Sequence, residues 1–402
     1  MTLKNLHSLF VAVLVCMLAS CSSDDVLVTG EEKYIGTTGT ITPVEFDDTR
    51  SSLVFSSTGM TFSWEEGDSI RIYPKYVGGT QTFKSAEEAP SVGLTLIPGS
   101  LTGFESGKIT GHFGVDGKRY ILNMEGTSDY LTIYPDKKNL PVLGYTEIPI
   151  DYTGQKQKSN VKIGYYNTGD PENDALYMAS ERDASSHLGD YDYMYGSATQ
   201  REDGSTHFVF KHLQATVRFY MEVPQPEVTQ VFDSIMILHN FETSAEAYKF
   251  TTKGTLNLET EDFTWGEQPR TLTLKFGDEG FDLRDYDEST GEYSVGYSDD
   301  YKRNGKYYII AYMEMFPVEL IHDDILKPTL YLLGHKMVNG EKVRTFYKAM
   351  LTKRNLLAGK AYQWTTTPDE EEPITFEVLS VQQWEEETGF TNGDKGNGTQ
   401  DW

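Results

Sequence analysis

Cys21 is the residue whose type and position most clearly predict a chemical modification. It follows an apolar run from Leu9 to Ala19, and the only formal charge before that run is Lys4. The run is too short to cross a bilayer as a helix, which takes ~20 apolar residues. A charged start, a short apolar core and small residues before the cut are typical of a secretory signal peptide. We therefore assign residues 1–20 to a signal peptide.

The four residues Leu18-Ala19-Ser20-Cys21 resemble a bacterial lipobox. In that motif the cysteine thiol is acylated and the chain is cut just before it, so the mature protein would start at a lipidated Cys21. The tract Ser22-Ser23-Asp24-Asp25 resembles the signal that carries such lipoproteins to the outer face of the outer membrane. The alternative to the lipobox is an unmodified Cys21 with cleavage nearby. The alternative to the export signal is that residues 22–25 are only a flexible, solvated tether.

The other reactive residue types form no recognisable catalytic set. The sequence has no helical H-E-x-x-H pair and no G-x-S-x-G nucleophile elbow. His207 and His212 flank one predicted strand, which favours a sheet-face and a strand-end histidine over a metal site. Cys16 is lost with the signal peptide, so no thiol nucleophile remains. We expect a protein that is not an enzyme and that uses no cofactor and no metal.

Two polar stretches leave alternatives open. Asp282, Asp285 and Asp287 lie near Glu288 and offer hard oxygen ligands for calcium, but their spacing departs from an EF-hand and favours a solvated acidic loop. The tyrosines of the stretch 191–195 either stack on sugar rings, if they are exposed, or belong to the core, if they are buried.

Composition indicates a β-rich protein that does not bind nucleic acid. The 402 residues carry a net charge of -26, which repels phosphate backbones and anionic lipid head groups. Aromatic residues make up 13 % and there are 36 glycines, a bias that suits strands and turns. With Cys16 removed and Cys21 lipidated, no disulfide is available and stability must come from packing.

Apolar residues alternate with polar ones in many short runs, as at Ile70 and Ile72, and the runs end at Gly, Pro, Asn or Asp. We find no long amphipathic helix, and we expect short strands or a flap over 136–206. Pro224 and Pro226 mark a domain boundary. The predicted division is a signal peptide (1–20), an acidic tether (21–37), two β-sandwich domains (38–223 and 224–366), and a C-terminal strand with a flexible tail (367–402).

The order of several motifs resembles the fimbrillin-like (Mfa-like fimbrillin) surface lipoproteins of Gram-negative gut and oral anaerobes. After the lipobox, the motifs are Phe62-x-Trp64-x-x-Gly67-Asp68-x-Ile70-x-Ile72, Tyr134-Pro135, Phe208-Val209-Phe210-Lys211-His212-Leu213-x-Ala215-x-Val217-x-Phe219, Leu357-x-Gly359-Lys360-x-Tyr362-x-Trp364 and Val381-x-x-Trp384. The resemblance spans nearly the whole mature chain. It implies an all-β fold of two tandem transthyretin-like antiparallel β-sandwich domains, and a pilus or surface-adhesion subunit on the cell outer membrane.

The resemblance also implies an assembly route by strand exchange. In the family, an early strand is removed by cleavage after an Arg, and a strand of the next subunit fills the open groove. Arg50 and Ser51 stand where that cut would fall, with a simple polar loop as the alternative. The donor strand would present Ile374, Phe376 and Val378, unless this strand folds back on its own domain.

Two functions remain in competition. One is a fimbrial subunit whose partners are other fimbrial subunits. The other is a surface lipoprotein that never polymerises and binds a glycan or a host protein. In both, the chain meets the outer membrane through lipid on Cys21 and binds no nucleic acid.

Mass spectrometry of the mature N-terminus tests the assignment of Cys21. We expect the mass of a chain that starts at Cys21 with acyl chains attached, and we expect Cys21→Ser to leave residues 1–20 in place, because the thiol to be acylated is gone. A mature chain with an unmodified Cys21 would contradict the assignment.

Overall fold

A computed structural model of the chain describes residues 38–40, 52–56, 59–79, 81–100, 111–114, 127–201, 206–223, 230–240, 250–269, 271–320, 327–351, 354–366, 373–374 and 376–377. Cys21, Arg50, Ser51 and Val378 lie outside these residues. The described residues belong to one compact unit, which spans residues 35–402. Within them, no helix has both the length and the apolar character needed to cross a membrane.

Strands dominate the described secondary structure. Up to residue 223 they are β1 (Thr38–Thr40), β2 (Ser52–Ser56), β3 (Gly59–Ser63), β4 (Ser69–Pro74), β5 (Val92–Leu96), β6 (Gly111–Gly114), β7 (Asp129–Tyr134), β8 (Ile148–Asp151), β9 (Lys156–Gln157), β10 (Met194–Thr199), β11 (His207–His212) and β12 (Ala215–Val223). Beyond it they are β13 (Gln230–Asn240), β14 (Lys253–Leu256), β15 (Phe263–Trp265), β16 (Thr271–Phe276), β17 (Phe281–Asp282), β18 (Arg284–Asp287), β19 (Glu292–Tyr297), β20 (Lys302–Arg303), β21 (Lys306–Met315), β22 (Val318–Leu320), β23 (Lys327–Val338), β24 (Glu341–Leu351), β25 (Arg354–Leu356), β26 (Ala361–Thr366), β27 (Pro373–Ile374) and β28 (Phe376–Glu377). The described helices are α1 (Pro171–Ser185) and the short 3-10 turns Ala86–Glu88, Ile163–Tyr165, Ser186–Asp190 and Asp299–Tyr301.

Seven strands of the first half close into a barrel, in the order β1-β11-β10-β7-β4-β5-β6. The pairs are antiparallel except for β1 with β6, which is parallel and closes the ring. The alternation in β4 places Ile70 and Ile72 in the core, as a strand with period 2 requires. The β-rich class is therefore confirmed. The finer assignment of two tandem transthyretin-like sandwiches is not confirmed, because the first half contains this closed barrel.

Trp64 lies at the centre of an aromatic cluster that joins three of the motifs quoted above. Its ring meets Phe113, Tyr134 and Phe210 edge to face, with centroids 5.1, 5.3 and 5.6 Å away. The Tyr134 hydroxyl donates to Asp68 Oδ1 at 3.0 Å, and Asp68 Oδ2 accepts the Glu65 N–H at 2.8 Å. These motif residues fix the packing of the barrel and the turn before β4.

The second half contains a sandwich of two larger sheets. One sheet has the order β20-β21-β12-β26-β28 and the other β27-β24-β23-β13-β16-β9, with β17 paired to β13. A continuous apolar core lies between them, with Phe219, Ile309 and Trp364 from the first sheet and Ile235 and Leu274 from the second. Strand β12 ends at the predicted boundary at residue 223, yet both of its neighbours, β21 and β26, come from the second half. The predicted boundary therefore does not coincide with a division between sheets.

One side of this sandwich is closed by the segment 155–160 of the first half. Its main chain belongs to the second sheet, because the carbonyls of Gln155 and Gln157 accept the N–H groups of Lys275 at 3.1 Å and Gly277 at 2.7 Å. Its side chains reach the opposite sheet. The segment therefore bridges the two sheets at their edges.

Three side-chain amides of this segment bond the outer edge of β21 as a neighbouring strand would. Each amide accepts from a backbone N–H and donates to a backbone carbonyl. The bonds join Asn160 to Ile310 N (2.9 Å) and Tyr308 O (3.0 Å), Gln157 to Tyr312 N (2.9 Å) and Ile310 O (2.8 Å), and Gln155 to Glu314 N (2.8 Å) and Glu314 O (2.6 Å). We call this set the amide ladder. It satisfies edge groups that would otherwise be free to pair with another strand.

The expectation of short strands over 136–206 is met by β8, β9 and β10, but the same stretch also contains helix α1, which was not predicted. Asp170 caps it by accepting the Glu172 N–H at 3.0 Å, and Pro171 occupies its first turn, where proline is tolerated. Hydrophobic periodicity does not reveal the helix, because its buried face is half polar: Tyr177, Glu181, Ala184 and Ser185.

A buried ion pair attaches α1 to the first sheet of the sandwich. Glu181 Oε1 lies 2.7 Å from Arg218 Nη1 and accepts the Tyr312 hydroxyl at 2.7 Å. Arg218 also donates to Gln363 Oε1 from Nε at 2.7 Å. Burial raises the pKa of the Glu181 carboxyl, and the Arg218 guanidinium opposes that rise.

We expect Arg218→Met to lower the free energy of unfolding by about 3–5 kcal/mol, because it leaves the Glu181 carboxyl buried without its cation. The double variant Glu181→Gln/Arg218→Met removes both charges and should recover most of that loss. Denaturant unfolding of the three proteins measures both effects. Equal losses in the single and the double variant would show that the ion pair does not attach the helix in this way.

Candidate functional site

The C-terminal segment closes the opposite side of the sandwich, and it contains two of the predicted donor residues. Ile374 lies in β27, which pairs in parallel with the end of β24 at residues 350–351. Phe376 lies in β28, which pairs antiparallel with β26, opposite Trp364. Each of these strands has two residues. The described segment thus pairs with its own chain, and its exchange between chains remains a prediction.

Strand β24 leaves most of its outer edge unpaired within the described residues. Its inner edge pairs with β23 over the whole length from Glu341 to Met350, whereas β27 meets its outer edge only at 350–351. A shallow cleft opens beside this edge between the two sheets, lined by Met221, Glu222, Leu330, Leu332, Tyr347, Lys348 and Ala349. Unpaired backbone groups along a strand beside an apolar cleft are what an added strand requires.

The β23–β24 hairpin extends beyond the core of the sandwich. Its turn, Asn339-Gly340, has positive φ at both residues, 51° and 84°, as a two-residue type I′ turn requires. Residues 336–344 are exposed on both faces of the hairpin. This extension was not predicted from the sequence, although an Asn-Gly pair between alternating runs is a strong signal for a hairpin.

A buried polar cluster lies where the barrel meets β21. His212 Nδ1 is 2.5 Å from Asp192 Oδ1, and Gln214 donates to the same oxygen. Glu314, which is fully buried, accepts the Thr216 hydroxyl at 2.8 and 2.9 Å. Burial, and then the nearby Asp192 carboxylate, raise the pKa of Glu314 well above its usual value. No group of three His, Cys, Asp or Glu in the described part of the chain is arranged to hold a metal ion.

The tyrosine stretch 191–195 lies partly in the core. Tyr193 is buried and meets Tyr152 edge to face at 5.4 Å, while Tyr191 and Tyr195 are half-buried. The Lys137 ammonium donates to the Tyr193 hydroxyl at 2.7 Å, and burial lowers the pKa of Lys137 to about 8. Tyr193 is therefore a packing residue and offers no surface to a sugar.

The carboxylates of the acidic loop serve local structure. Asp282 binds the guanidinium of Arg284 with two hydrogen bonds, of 2.9 and 2.6 Å. Asp287 accepts from the backbone and the hydroxyl of Ser289, at 2.8 and 2.6 Å, at the turn between β18 and β19. These acids are directed to separate partners and do not converge on one point.

Comparisons with known proteins give no close relative. No family model matches the chain, and no curated protein matches it. A crystal structure of a candidate cell adhesion protein from Bacteroides ovatus ATCC 8483 aligns with 88% of this chain and 99% of its own, at 14% identity and a TM-score of 0.39. One from Bacteroides fragilis NCTC 9343 aligns with 86% and 98%, at 12% identity and a TM-score of 0.37.

Glu314 makes stability depend on pH. Because its pKa is raised in the folded state, that state holds a proton which the unfolded chain releases above about pH 4.5. Stability should therefore fall as the pH rises from 5 to 8. In Glu314→Gln the free energy of unfolding should fall less over this pH range. The difference from the wild type should be about 1.4 kcal/mol for each unit by which the folded state raises the pKa of Glu314.

Denaturant unfolding between pH 5 and pH 8 measures this effect, with the exposed Glu279→Gln as the matched control. A fall of the same size in the wild type and in Glu314→Gln would contradict the assignment.

Proposed function

We propose that this chain is an outer-membrane-anchored fimbrial subunit that assembles by strand exchange and supports adhesion at the cell surface. The observation that carries the proposal is the way the sandwich is closed: the described residues of the C-terminal segment pair with two residues at the edge of each sheet. The sequence resemblance described above supplies the rest, namely the lipid on Cys21 and the cut between Arg50 and Ser51.

Segment 155–160 and the C-terminal segment each close one side of the sandwich, and they differ in how strongly their described residues are held there. The segment 155–160 makes main-chain bonds to one sheet and six side-chain bonds to the other. The described C-terminal pairs involve only two residues on β24 and two on β26. Each backbone hydrogen bond contributes a net ~0.5–1.5 kcal/mol, so releasing these described pairs costs little. Exchange of an identical segment between copies restores the same contacts and is a low-cost route to assembly.

In this proposal the partners are other fimbrial subunits, and the donor strand places Ile374, Phe376 and Val378 on one face. Adjacent positions such as Thr375 face the other way in a strand. When the donor strand enters a groove that has lost its own strand, the burial of each large apolar donor side chain stabilises the complex by roughly 1.5–3 kcal/mol. No enzymatic activity belongs to the proposal.

A second function has a specific observation in its favour. The exposed β23–β24 hairpin offers a surface that needs no polymer in order to bind a glycan or a host protein. In that case the chain is a surface lipoprotein that remains monomeric and keeps Cys21 at its start.

N-terminal sequencing and SDS gels of surface protein separate these functions. For the wild type we expect a start at Ser51 and SDS-resistant ladders, and for Arg50→Ala a start at Cys21 and no ladders. Ile374→Asp/Phe376→Asp should be cut normally but form no ladders, because charged side chains cannot enter an apolar groove.

The matched control is Thr375→Asp, which adds charge on the other face of the donor strand and should keep the ladders. Wild-type protein that starts at Cys21 and runs only as a monomer would reject strand exchange and favour the second function.

A further inference from the structure

The outer face of the β23–β24 hairpin has a charge opposite to that of the rest of the chain. Residues paired directly across two antiparallel strands share a face. The pairs on the face away from the core are Tyr331 with Lys348, Leu333 with Phe346, His335 with Arg344 and Met337 with Lys342. We call these eight side chains the basic face. It contains three permanent cations and no Asp or Glu, whereas the whole chain has 61 acidic and 35 basic residues.

The cations of the basic face are available to a ligand. Lys342, Arg344 and Lys348 are exposed, and no ion pair joins them to an acid in the described part of the chain. Asp233 Oδ1 lies 2.9 Å from His335 Nδ1, and Glu222 lines the same cleft as Lys348 but is paired with Lys306 at 2.7 Å. On β16, which β13 separates from β23, Lys275 adds another exposed cation to the same outer side of the sheet.

Apolar side chains lie in the same row as the cations. Phe346 is 62% exposed and Met337 is 48% exposed, far more than packing in a core would leave. The ring of Phe346 has the half-buried ring of Tyr331 as its neighbour, with centroids 6.2 Å apart. The two rings are tilted by 56° to each other, so the face presents the exposed Phe346 ring with charged side chains on either side of it.

The spacing of these groups suits an extended ligand. Successive positions on one face of a strand are about 7 Å apart, so Lys342, Arg344, Phe346 and Lys348 form a line of about 20 Å. A small anion needs cations that converge on one point, and these do not. Acidic residues further away than the Debye length of about 8 Å are screened at physiological ionic strength, so distant acids of the chain weaken this row little.

We propose that the basic face binds an extended acidic polysaccharide. Lys342, Arg344 and Lys348 contact successive sulfate or carboxylate groups of the chain, and Phe346 packs against a sugar ring between them. This inference goes beyond strand exchange, because it needs only one copy of the protein.

Two other occupants fit the face less well. A membrane-inserting hairpin needs an apolar tip, but this tip is Asn339-Gly340-Glu341. An acidic peptide would gain most from pairing with the unpaired main chain at the edge of β24, whereas the basic face offers only side chains.

The test uses the full chain, purified in nonionic detergent, and two probes of matched length: a heparin decasaccharide, which is sulfated, and a hyaluronan decasaccharide, which carries only carboxylates. Isothermal titration at several salt concentrations gives the affinity and its salt dependence. The variants are Lys342→Thr/Arg344→Thr and Phe346→Thr. The control, Lys336→Thr/Lys138→Thr, removes the same charge from the opposite face of the hairpin and from a distant turn.

We expect the wild type to bind at least one of the probes, and the probe that binds better identifies sulfate or carboxylate as the recognised group. Lys342→Thr/Arg344→Thr should weaken binding about tenfold and reduce the slope of log Kd against log salt by about two, by analogy with the release of counterions from nucleic-acid phosphates. Phe346→Thr should weaken binding about threefold with the salt slope unchanged, since it removes only apolar contact. The control variant should bind like the wild type.

The proposal is wrong if neither probe binds, or if the control variant loses as much affinity as Lys342→Thr/Arg344→Thr. It is also wrong if the wild type ignores both saccharides but binds vesicles of phosphatidylcholine with 30% phosphatidylserine more tightly than vesicles of phosphatidylcholine alone. Circular dichroism melting of each variant shows that the fold is kept, and Phe346→Thr with an unchanged melt keeps the test decisive. The outcome does not depend on whether ladders form, so failure here leaves strand exchange standing.

Discussion

The second half of this protein depends on the closure of its sheet edges. A strand at the edge of a sheet exposes a row of N–H and C=O groups, and any chain that offers matching groups can pair with it. The amide ladder closes the edge of β21 with the side chains of Gln155, Gln157 and Asn160. On the opposite side, only four described residues of the C-terminal segment close the edges of β24 and β26. Among the described residues, the edge of β21 is therefore closed over more of its length than the outer edge of β24.

The same closure explains why the two halves of the chain do not separate into two independent sandwiches. The ladder comes from residues 155–160, and helix α1 from the same half lies against the sheet through Glu181 and Arg218. Strand β12, which ends at residue 223, is an inner strand of that sheet. The first half of the chain thus supplies part of the sandwich of the second half. A second half without residues up to 223 would have the edge of β21 exposed.

Much of the β pattern could be predicted from the sequence, because alternation is a local signal. Ile70 and Ile72, where the alternation was noted, are buried in strand β4, and residues 271–276 alternate in the same way and form strand β16. The ladder could not be predicted, since a polar run containing Gln157 reads as a loop until its partner, more than 150 residues away, is known. Helix α1 was missed because its buried face carries Glu181. The β23–β24 hairpin was within reach of the sequence, through Asn339-Gly340.

Hydrogen exchange at single-residue resolution tests the difference between the two sides most directly. The N–H groups of Ile310, Tyr312 and Glu314 all donate to ladder side chains. We predict that these three amides are as well protected as amides between two strands, and that the outward amides of β24 between 341 and 349 exchange much faster. If the three amides of β21 exchanged as fast as those of β24, the ladder would not close that edge, and the proposed difference between the two sides would be lost.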